Sequence, residues 1–196
     1  LVAGAFYRIR AFWLIGLCVA LGLNVMIVLT ICFPPFFTGR GYSVADAGWF
    51  LAISGLAGLA GKSCLAWQGD TVRNAVKWLA AGLLLMQVAG LLLLYLSVET
   101  WQVVIALILL GAANGAFIPM HPYLNSRYFD ASIISQVTGA QMPLFLPFGL
   151  TGAPLAGYVF DQTGSYDIVM LALAATLVIA AVLIACTPAT AKQRSN

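Results

Sequence analysis

The chain has 196 residues, of which 62% are hydrophobic and 8% are charged, and its net charge at pH 7 is +3. Soluble domains are on average about a quarter charged, so this composition excludes an ordinary water-soluble domain. The few basic residues are dispersed over the links between apolar stretches, which excludes the clustered basic patch of a nucleic-acid-binding protein. We therefore expect a protein of the lipid bilayer.

Six long apolar stretches follow one another, separated by short links that hold nearly all the charge. They cover residues 12–36, 44–67, 78–98, 101–124, 133–160 and 168–186, and residues 187–196 remain as a tail. A hydrocarbon core needs about 20 apolar helical residues to be crossed. Barrel strands would be about 10 residues of alternating polarity, and these stretches do not alternate. The predicted fold is all-α, a single bundle of six transmembrane helices.

Polar side chains occur inside only some of these spans. At about 1.5 Å of rise per residue, Asn24 falls at the middle of the first span and Asn114 at the middle of the fourth. An unpaired amide in hydrocarbon is costly, so both should face the interior and either contact a substrate or join two helices. Gln141 in the fifth span is a further substrate-binding candidate, whereas Gln87 in the third is expected at a helix–helix contact.

His121 lies in the fourth span between Pro119 and Pro122. It is the only side chain near the membrane interior whose ordinary pKa is close to physiological pH, so it is either a structural histidine or a group that binds substrate or a proton. All six acidic residues lie at span ends or in links, although intramembrane carboxylates are the usual proton relays. Lys62 can extend its ammonium group to the membrane interface or contact an anion.

Glycines mark the second, fourth and fifth spans, whereas the third and sixth are nearly pure Leu, Ala, Val and Ile and should face lipid. Small residues permit close helix approach. The glycines concerned are Gly55, Gly58, Gly61, Gly111, Gly115, Gly149 and Gly152. Pro143, Pro147 and Pro154 should bend the fifth span, which is tolerated where neighbours or a cavity satisfy the backbone.

The order of helix types repeats after three spans. The stretch from Gly55 to Gly58 is echoed between Gly149 and Gly152, and an acid follows each echo at the far end of its span. Because three is an odd number, the second triplet must be inverted relative to the first. Inverted three-helix repeats are found within each half of one large class of secondary transporters.

Lysine and arginine predict the orientation. Of the nine such residues, only Arg40 lies on the side opposite the N-terminus. The other eight are Arg8, Arg10, Lys62, Arg73, Lys77, Arg127, Lys192 and Arg194. The positive-inside rule makes their side the cytoplasm, so both ends and the tail should be cytoplasmic and the protein should be a multi-pass protein of the plasma or inner membrane.

Several stretches resemble the major facilitator superfamily. Residues 42–70 are similar to the region around that family's eighth and ninth helices. Residues 111–115, 126–129 and 152–166 look like its tenth to twelfth helices, and the chain is most like members that carry organic anions such as monocarboxylates and oxalate. The resemblance implies the second half of a twelve-helix transporter, with the first six helices as a missing partner. A first residue that is not Met also favours a piece of a longer chain.

The resemblance implies two further features. Spans one and four should line a central cavity, and a conformational loop motif should include Gly61, Asp70 and Arg73, with Asp161 as the matching acid of the second triplet. The chain departs from the family's pattern because no arginine follows Asp70 directly. The charge latch of this loop is therefore expected to be weakened.

The predicted function is secondary active transport of a small solute, an organic anion by resemblance, through alternating access, with a proton as the candidate coupling ion. The alternatives are a drug or metabolite exporter of the same superfamily and, from another class, a six-span structural or assembly protein without transport. The sequence shows no nucleophile–base pair, phosphate loop or zinc set of cysteine and histidine. We therefore expect no enzymatic activity, cofactor or metal.

Overall fold

The computed structural model of the chain describes residues 5–68 and 75–188, and all regular secondary structure in them is helical. Within these ranges, six segments are long and apolar enough to cross a membrane, which confirms the all-α, six-span fold. They are α1, α2, α3, α4, the pair α6–α7, and α8. The helices are α1 (Arg10–Gly39), α2 (Val44–Gln68), α3 (Val76–Leu96), α4 (Thr100–Phe117), α5 (Met120–Tyr128), α6 (Ile134–Gln141), α7 (Phe145–Thr163) and α8 (Asp167–Ala185).

Helix α1 contains Pro34 and Pro35 and continues to Gly39, past its predicted end at residue 36. Proline lacks a backbone donor and normally disturbs the helix that contains it. Here the hydroxyl of Thr38 donates to the carbonyls of Pro34 (3.1 Å) and Pro35 (3.2 Å), which gives these two carbonyls a side-chain partner within the helix. The chain then turns at Gly41, whose φ of 88° lies in the left-handed region that favours glycine.

Two spans are interrupted by proline. Pro119 separates α4 from α5, so the predicted span 101–124 consists of two helices. In the fifth span, the 3-10 turn Met142–Leu144 separates α6 from α7 and contains Pro143. The expected break in the fifth span thus lies at this turn, whereas Pro154 is accommodated inside α7.

The main helix contacts follow a two-fold pattern. Helix α1 packs against α7 and α8, α4 packs against α2 and α3, and α3 packs against α8. Exchanging the triplet α1, α2, α3 for the triplet α4, α7, α8 reproduces the same set of contacts. Each triplet contributes three crossings, so the second is inverted. We call the side where α1 begins side one, and the side where it ends side two.

The C-terminal ends of α3 and α8 lie on opposite sides and are capped by the same kind of hydrogen bond. The hydroxyl of Ser97 donates to the carbonyl of Leu94 (2.7 Å), and that of Thr187 donates to the carbonyl of Ile184 (2.6 Å). On side one, the ammonium of Lys77 adds a bond to the carbonyl of Thr187 (3.0 Å). Helix ends leave several carbonyls without a partner, and these polar groups satisfy them at both sides of the bundle.

Arg40 joins three helices on side two. Its guanidinium donates to the carbonyls of Leu94 (3.0 Å) and Tyr95 (3.0 Å) at the end of α3. It also lies 3.7 Å from a carboxylate oxygen of Asp167, the first residue of α8, and over the ring of Phe36 in α1. Arg40, the one basic residue on side two among residues 5–68 and 75–188, therefore caps a helix terminus.

Helices α2 and α4 cross with their backbones in contact. A Cβ built on Gly115 would overlap the carbonyl oxygen of Gly58, and one built on Gly111 would overlap that of Ser54. Only glycine permits this approach. The crossing fixes α2 against α4 over about two helical turns.

The remaining helix faces divide into two kinds. Helices α3 and α8 bury one side against each other and expose Leu and Val on the other, as expected of lipid-facing spans. Helices α2 and α7 present broad exposed faces instead. Their large exposed apolar side chains include Trp49, Leu56, Leu59, Leu146, Leu150, Leu155 and Tyr158.

Candidate functional site

A cleft of about 460 Å³ opens between α1, α2 and α4. Its polar lining consists of Thr30, Ser54, Lys62 and Asn114, and the glycines of the α2–α4 crossing form part of its floor. Its apolar lining includes Met26, Leu29, Phe33, Leu51 and Ile118. The cleft is therefore amphipathic, with one cation among its walls.

The charge of Lys62 is uncompensated in this cleft. None of the residues that line it is an acid. Within residues 5–68 and 75–188, the ion pair between Arg40 and Asp167 is the one salt bridge, and it lies on side two. A cation flanked by low-dielectric helix walls attracts an anion more strongly than one in bulk water.

Lys62 also borders a second cavity of about 380 Å³ towards side one. Both cavities share Lys62 and Ile118, and the second adds Leu65, Pro119 and Tyr123. The two spaces adjoin along one wall of α2 and α4. Lys62 thus borders both the cleft and the cavity that lies nearer to side one.

Asn114 faces this cleft because of the glycines around it. Gly111 and Gly115 bring the backbone of α4 against α2, which leaves the half-buried side chain of Asn114 beside the cleft opening. On the opposite flank, Gly61 packs directly against the carbonyl of Ala112. This glycine of the expected loop motif therefore makes a tight helix contact.

Asn24 lies elsewhere. It borders a smaller cavity of about 170 Å³ between α1, α7 and α8, together with Gly152 and Thr176. A Cβ on Gly152 would overlap the side-chain oxygen of Asn24, and that oxygen is buried with no hydrogen-bond partner among the described residues. Asn24 and Asn114 therefore do not line the same cavity. Both were expected to face the interior and either contact a substrate or join two helices.

His121 and Gln141 meet in a buried polar cluster. His121 Nε2 lies 2.7 Å from Gln141 Oε1, which also accepts a bond from Asn125 Nδ2 (2.8 Å). Gln141 Nε2 donates to the carbonyl of Phe12 (2.8 Å), and Asn125 donates to the hydroxyl of Thr138 (3.0 Å). The cluster joins α1, α5 and α6, and it is separate from the residues that line the cleft.

Sequence reasoning did not single out Asn125. The sequence does predict that Asn125 shares a helix face with His121, because it follows His121 by four residues and residues at that spacing lie on the same face. Thr138 and Gln141 have the matching spacing of three on α6. The meeting of the two faces depends on the tertiary fold, which spacing does not show.

The other residues of the expected loop motif are not gathered at the cleft. Asp161 is exposed near the end of α7 on side two. Asp70 and Arg73 lie outside the described residues. The chain offers no group of three or more His, Cys, Asp or Glu side chains that could hold a metal ion within the parts that are described.

A six-helix bundle of two inverted triplets, with an amphipathic cleft between helices of both triplets, is the architecture of half of a secondary transporter. Comparison with known families agrees with this class. The model of the Major Facilitator Superfamily matches residues 5–196. The chain belongs to this superfamily, which is a family of transporters and not of enzymes.

Two curated relatives are similar to the chain. Over 161 residues the chain is 23% identical to monocarboxylate transporter 12 of Xenopus laevis, covering 78% of this chain and 35% of the relative. Over 160 residues it is 26% identical to monocarboxylate transporter 13 of Rattus norvegicus, covering 76% and 37%. The chain thus spans little more than a third of the length of these relatives.

Proposed function

We propose that the chain forms the C-terminal half of a secondary transporter for small organic anions, and that the cleft between α1, α2 and α4 is its half of the substrate site. The observation that carries the proposal is the uncompensated ammonium of Lys62 beside Asn114 in that cleft. The names of the two relatives supply the anion class, monocarboxylates. Substrate sites in such folds lie near the bilayer midplane at the interface of the repeats.

The lining of the cleft suits an anion with an apolar body. A carboxylate accepts charge-assisted bonds from an ammonium group and further bonds from amide and hydroxyl donors, which Lys62, Asn114 and Ser54 provide. Leu29 and Phe33, nearer to side two, would contact the apolar part. Lys62 is exposed in this half of the protein, so its ammonium group is free to meet an anion in the cleft.

The remaining expectations complete the proposal. The exposed faces of α2 and α7 would pack against an N-terminal six-helix half, and alternating access would come from rocking of the two halves. Side one would be the cytoplasmic side of the plasma or inner membrane. His121 Nε2 donates to Gln141 Oε1 in a buried cluster away from the cleft. This bond favours a structural role, so a coupled proton would titrate elsewhere in the transporter.

Uptake of radiolabelled pyruvate into proteoliposomes that contain the transport-competent protein tests this proposal. Lys62→Gln should raise the KM about ten- to a hundredfold, because a hydrogen bond to a charged group is worth about 1.5–3 kcal/mol, and Lys62→Arg should retain most of the affinity. Asn114→Ala should raise it less, about two- to tenfold, because it removes one hydrogen bond and leaves the ammonium group in place. Asn24→Ala should leave the KM unchanged, because its cavity is separate.

The matched control is Lys77→Gln, since Lys77 caps α8 on side one and does not line the cleft. The uncharged methyl ester of pyruvate should compete poorly with pyruvate. Wild-type affinity in Lys62→Gln, with normal yield of folded protein, would overturn the assignment of the site. Strong competition by the ester would overturn the anion class.

A further inference from the structure

The cleft between α1, α2 and α4 is lined by one stripe of residues on each helix. Residues three or four apart lie on the same face of a helix. On α2 the stripe runs from Leu51 through Ser54 and Gly58 to Lys62, and on α1 the lining residues between positions 26 and 33 have the same spacing. The cleft is therefore a trough that follows the helix axes.

Two contacts give the levels of these stripes along the bundle. The rings of Phe37 and Phe50 have their centroids 4.8 Å apart, so the end of α1 is level with the start of α2 on side two. Gly115 packs against the backbone of Gly58, so its neighbour Asn114 is level with the later part of the α2 stripe. Asn114 therefore lies in the half of the cleft that is nearer to side one.

The lining of the trough changes from apolar to polar along its length. Phe33 and Leu51 line its side-two end, and Asn114 and Lys62 line its side-one end. Lys62 follows Leu51 by eleven residues, which corresponds to about 16 Å along α2. A three-carbon acid, at about 1.2 Å for each bond of an extended chain, would fill only the polar end.

The apolar space continues past Leu51. This residue also borders a cavity of about 310 Å³ nearer to side two, whose other lining residues include Pro34, Pro35, Thr38 and Val44. None of the described residues that line this cavity or the side-two end of the cleft is charged. A second carboxylate placed there would lose water without gaining a cationic partner, which is costly.

The direction of the lysine side chain fits this gradient. The Cα–Cβ bonds of a helix tilt toward its N-terminus, and α2 begins on side two. The side chain of Lys62 therefore leans along the cleft toward Asn114 and Ser54, which places the ammonium group where a carboxylate can also meet the amide.

We propose that this cleft selects monocarboxylates with an extended apolar body of about eight carbons, with the carboxylate at Lys62 and Asn114 and the apolar end at Leu51 and Phe33. The inference rests on the proposed function and narrows its substrate class. The seven carbon–carbon bonds of octanoate span about 8 Å at about 1.2 Å for each bond. The extended lysine side chain covers most of the remaining distance between positions 62 and 51.

Saturable binding of radiolabelled octanoate to the purified, transport-competent protein tests the inference. Butyrate should bind about twenty- to two-hundredfold more weakly than octanoate, at about two- to fourfold for each of the four missing methylenes. Suberate has the length of octanoate but carries a second carboxylate at the apolar end, so it should bind at least about tenfold more weakly. Octanamide lacks the charge and should also bind about ten- to a hundredfold more weakly.

Two substitutions at Leu51 test where the apolar end lies. Leu51→Gln should weaken octanoate binding about four- to sixteenfold, the equivalent of two methylenes, and leave butyrate binding unchanged because butyrate ends short of this position. Leu51→Lys supplies a second cation and should make suberate bind more tightly than octanoate. Leu96→Gln is the matched control and should change neither affinity, because Leu96 is exposed at the side-two end of α3, outside the cleft.

The outcomes separate this inference from the proposed function. Equal affinities for butyrate and octanoate, or no saturable octanoate binding in a protein that transports pyruvate, would overturn the inference and leave the proposed function standing. Octanamide that binds as tightly as octanoate would contradict both, because the site would then not recognise an anion. An octanoate preference that Leu51→Gln leaves unchanged, at normal yield of folded protein, would overturn the placement of the apolar end.

Discussion

Replacing Gln87 with methionine should stabilise the protein. Gln87 is 0% exposed in the middle of α3, and neither its Oε1 nor its Nε2 has a hydrogen-bond partner among the described residues. A buried polar group without a partner costs about 1–3 kcal/mol. Methionine has nearly the same length and no amide group, so Gln87→Met should raise the free energy of unfolding by about 1–3 kcal/mol.

Gln141→Met is the matched control, and it should change the free energy of unfolding in the opposite direction. Gln141 is equally buried, but its amide makes three hydrogen bonds that join α1, α5 and α6. Gln141→Met leaves their partners unpaired and should lower the free energy of unfolding by about 3 kcal/mol, at about 1 kcal/mol for each bond. Gln87→Ala should show little net gain, because the cavity that it creates offsets the removal of the amide.

Unfolding of the purified variants in one detergent, followed by circular dichroism against denaturant, measures these differences. The sign is decisive, since both changes replace a buried glutamine in a membrane helix by the same residue. Equal destabilisation by the two substitutions would show that the amide of Gln87 has polar partners, and the inference from its burial would be wrong.

Three further outcomes are expected. Arg40→Ala should lower the free energy of unfolding by about 2–3 kcal/mol because charged hydrogen bonds to the end of α3 are lost. Asp167→Asn should change it by less than about 1 kcal/mol, since the ion pair is long and half-exposed. Similar losses for both variants in denaturant unfolding would assign the effect to the ion pair instead. Gly115→Ala should prevent the α2–α4 crossing and reduce the yield of folded protein, while Gly55→Ala, which meets open space, should be tolerated in the same size-exclusion assay. In a cysteine-free background, an impermeant thiol reagent applied to intact cells should label Val98→Cys and not Ser132→Cys, and the reverse pattern would invert the orientation.

The spans and their order followed from the sequence because length and apolarity alone decide which segments can cross a bilayer. The direction in which each polar side chain points did not follow. A helix that is apolar all round has no hydrophobic face to mark its interior, so Asn24 and Asn114 could be placed at mid-span but not oriented. Their directions are set by which glycines allow a neighbour to approach, Gly152 for one and Gly58 for the other.

Arg40 shows a second limit of the sequence. The number of basic residues on each side predicted the orientation, because Arg40 lies on side two and the other basic residues lie on side one. The count says nothing of its bonds to the carbonyls that end α3, since those carbonyls lie more than fifty residues away in the chain. Capping across helices belongs to the tertiary fold, as does the cluster around Gln141.

At positions that the repeat makes equivalent, the two triplets agree at their helix ends and differ in their interior contacts. Asn114 follows Asn24 at the same interval at which Thr187 follows Ser97, and that interval also relates Gln87 to Leu177. The helix ends keep the same hydrogen bonds, because both sides of a bilayer demand satisfied termini. The interior contacts have diverged, with a buried amide in one triplet and a leucine in the other, and a continuous α2 opposite a broken α6–α7 pair. A repeat that keeps its helix ends and changes its interior thus retains one fold, while α2 and the α6–α7 pair pack differently against the rest of the bundle.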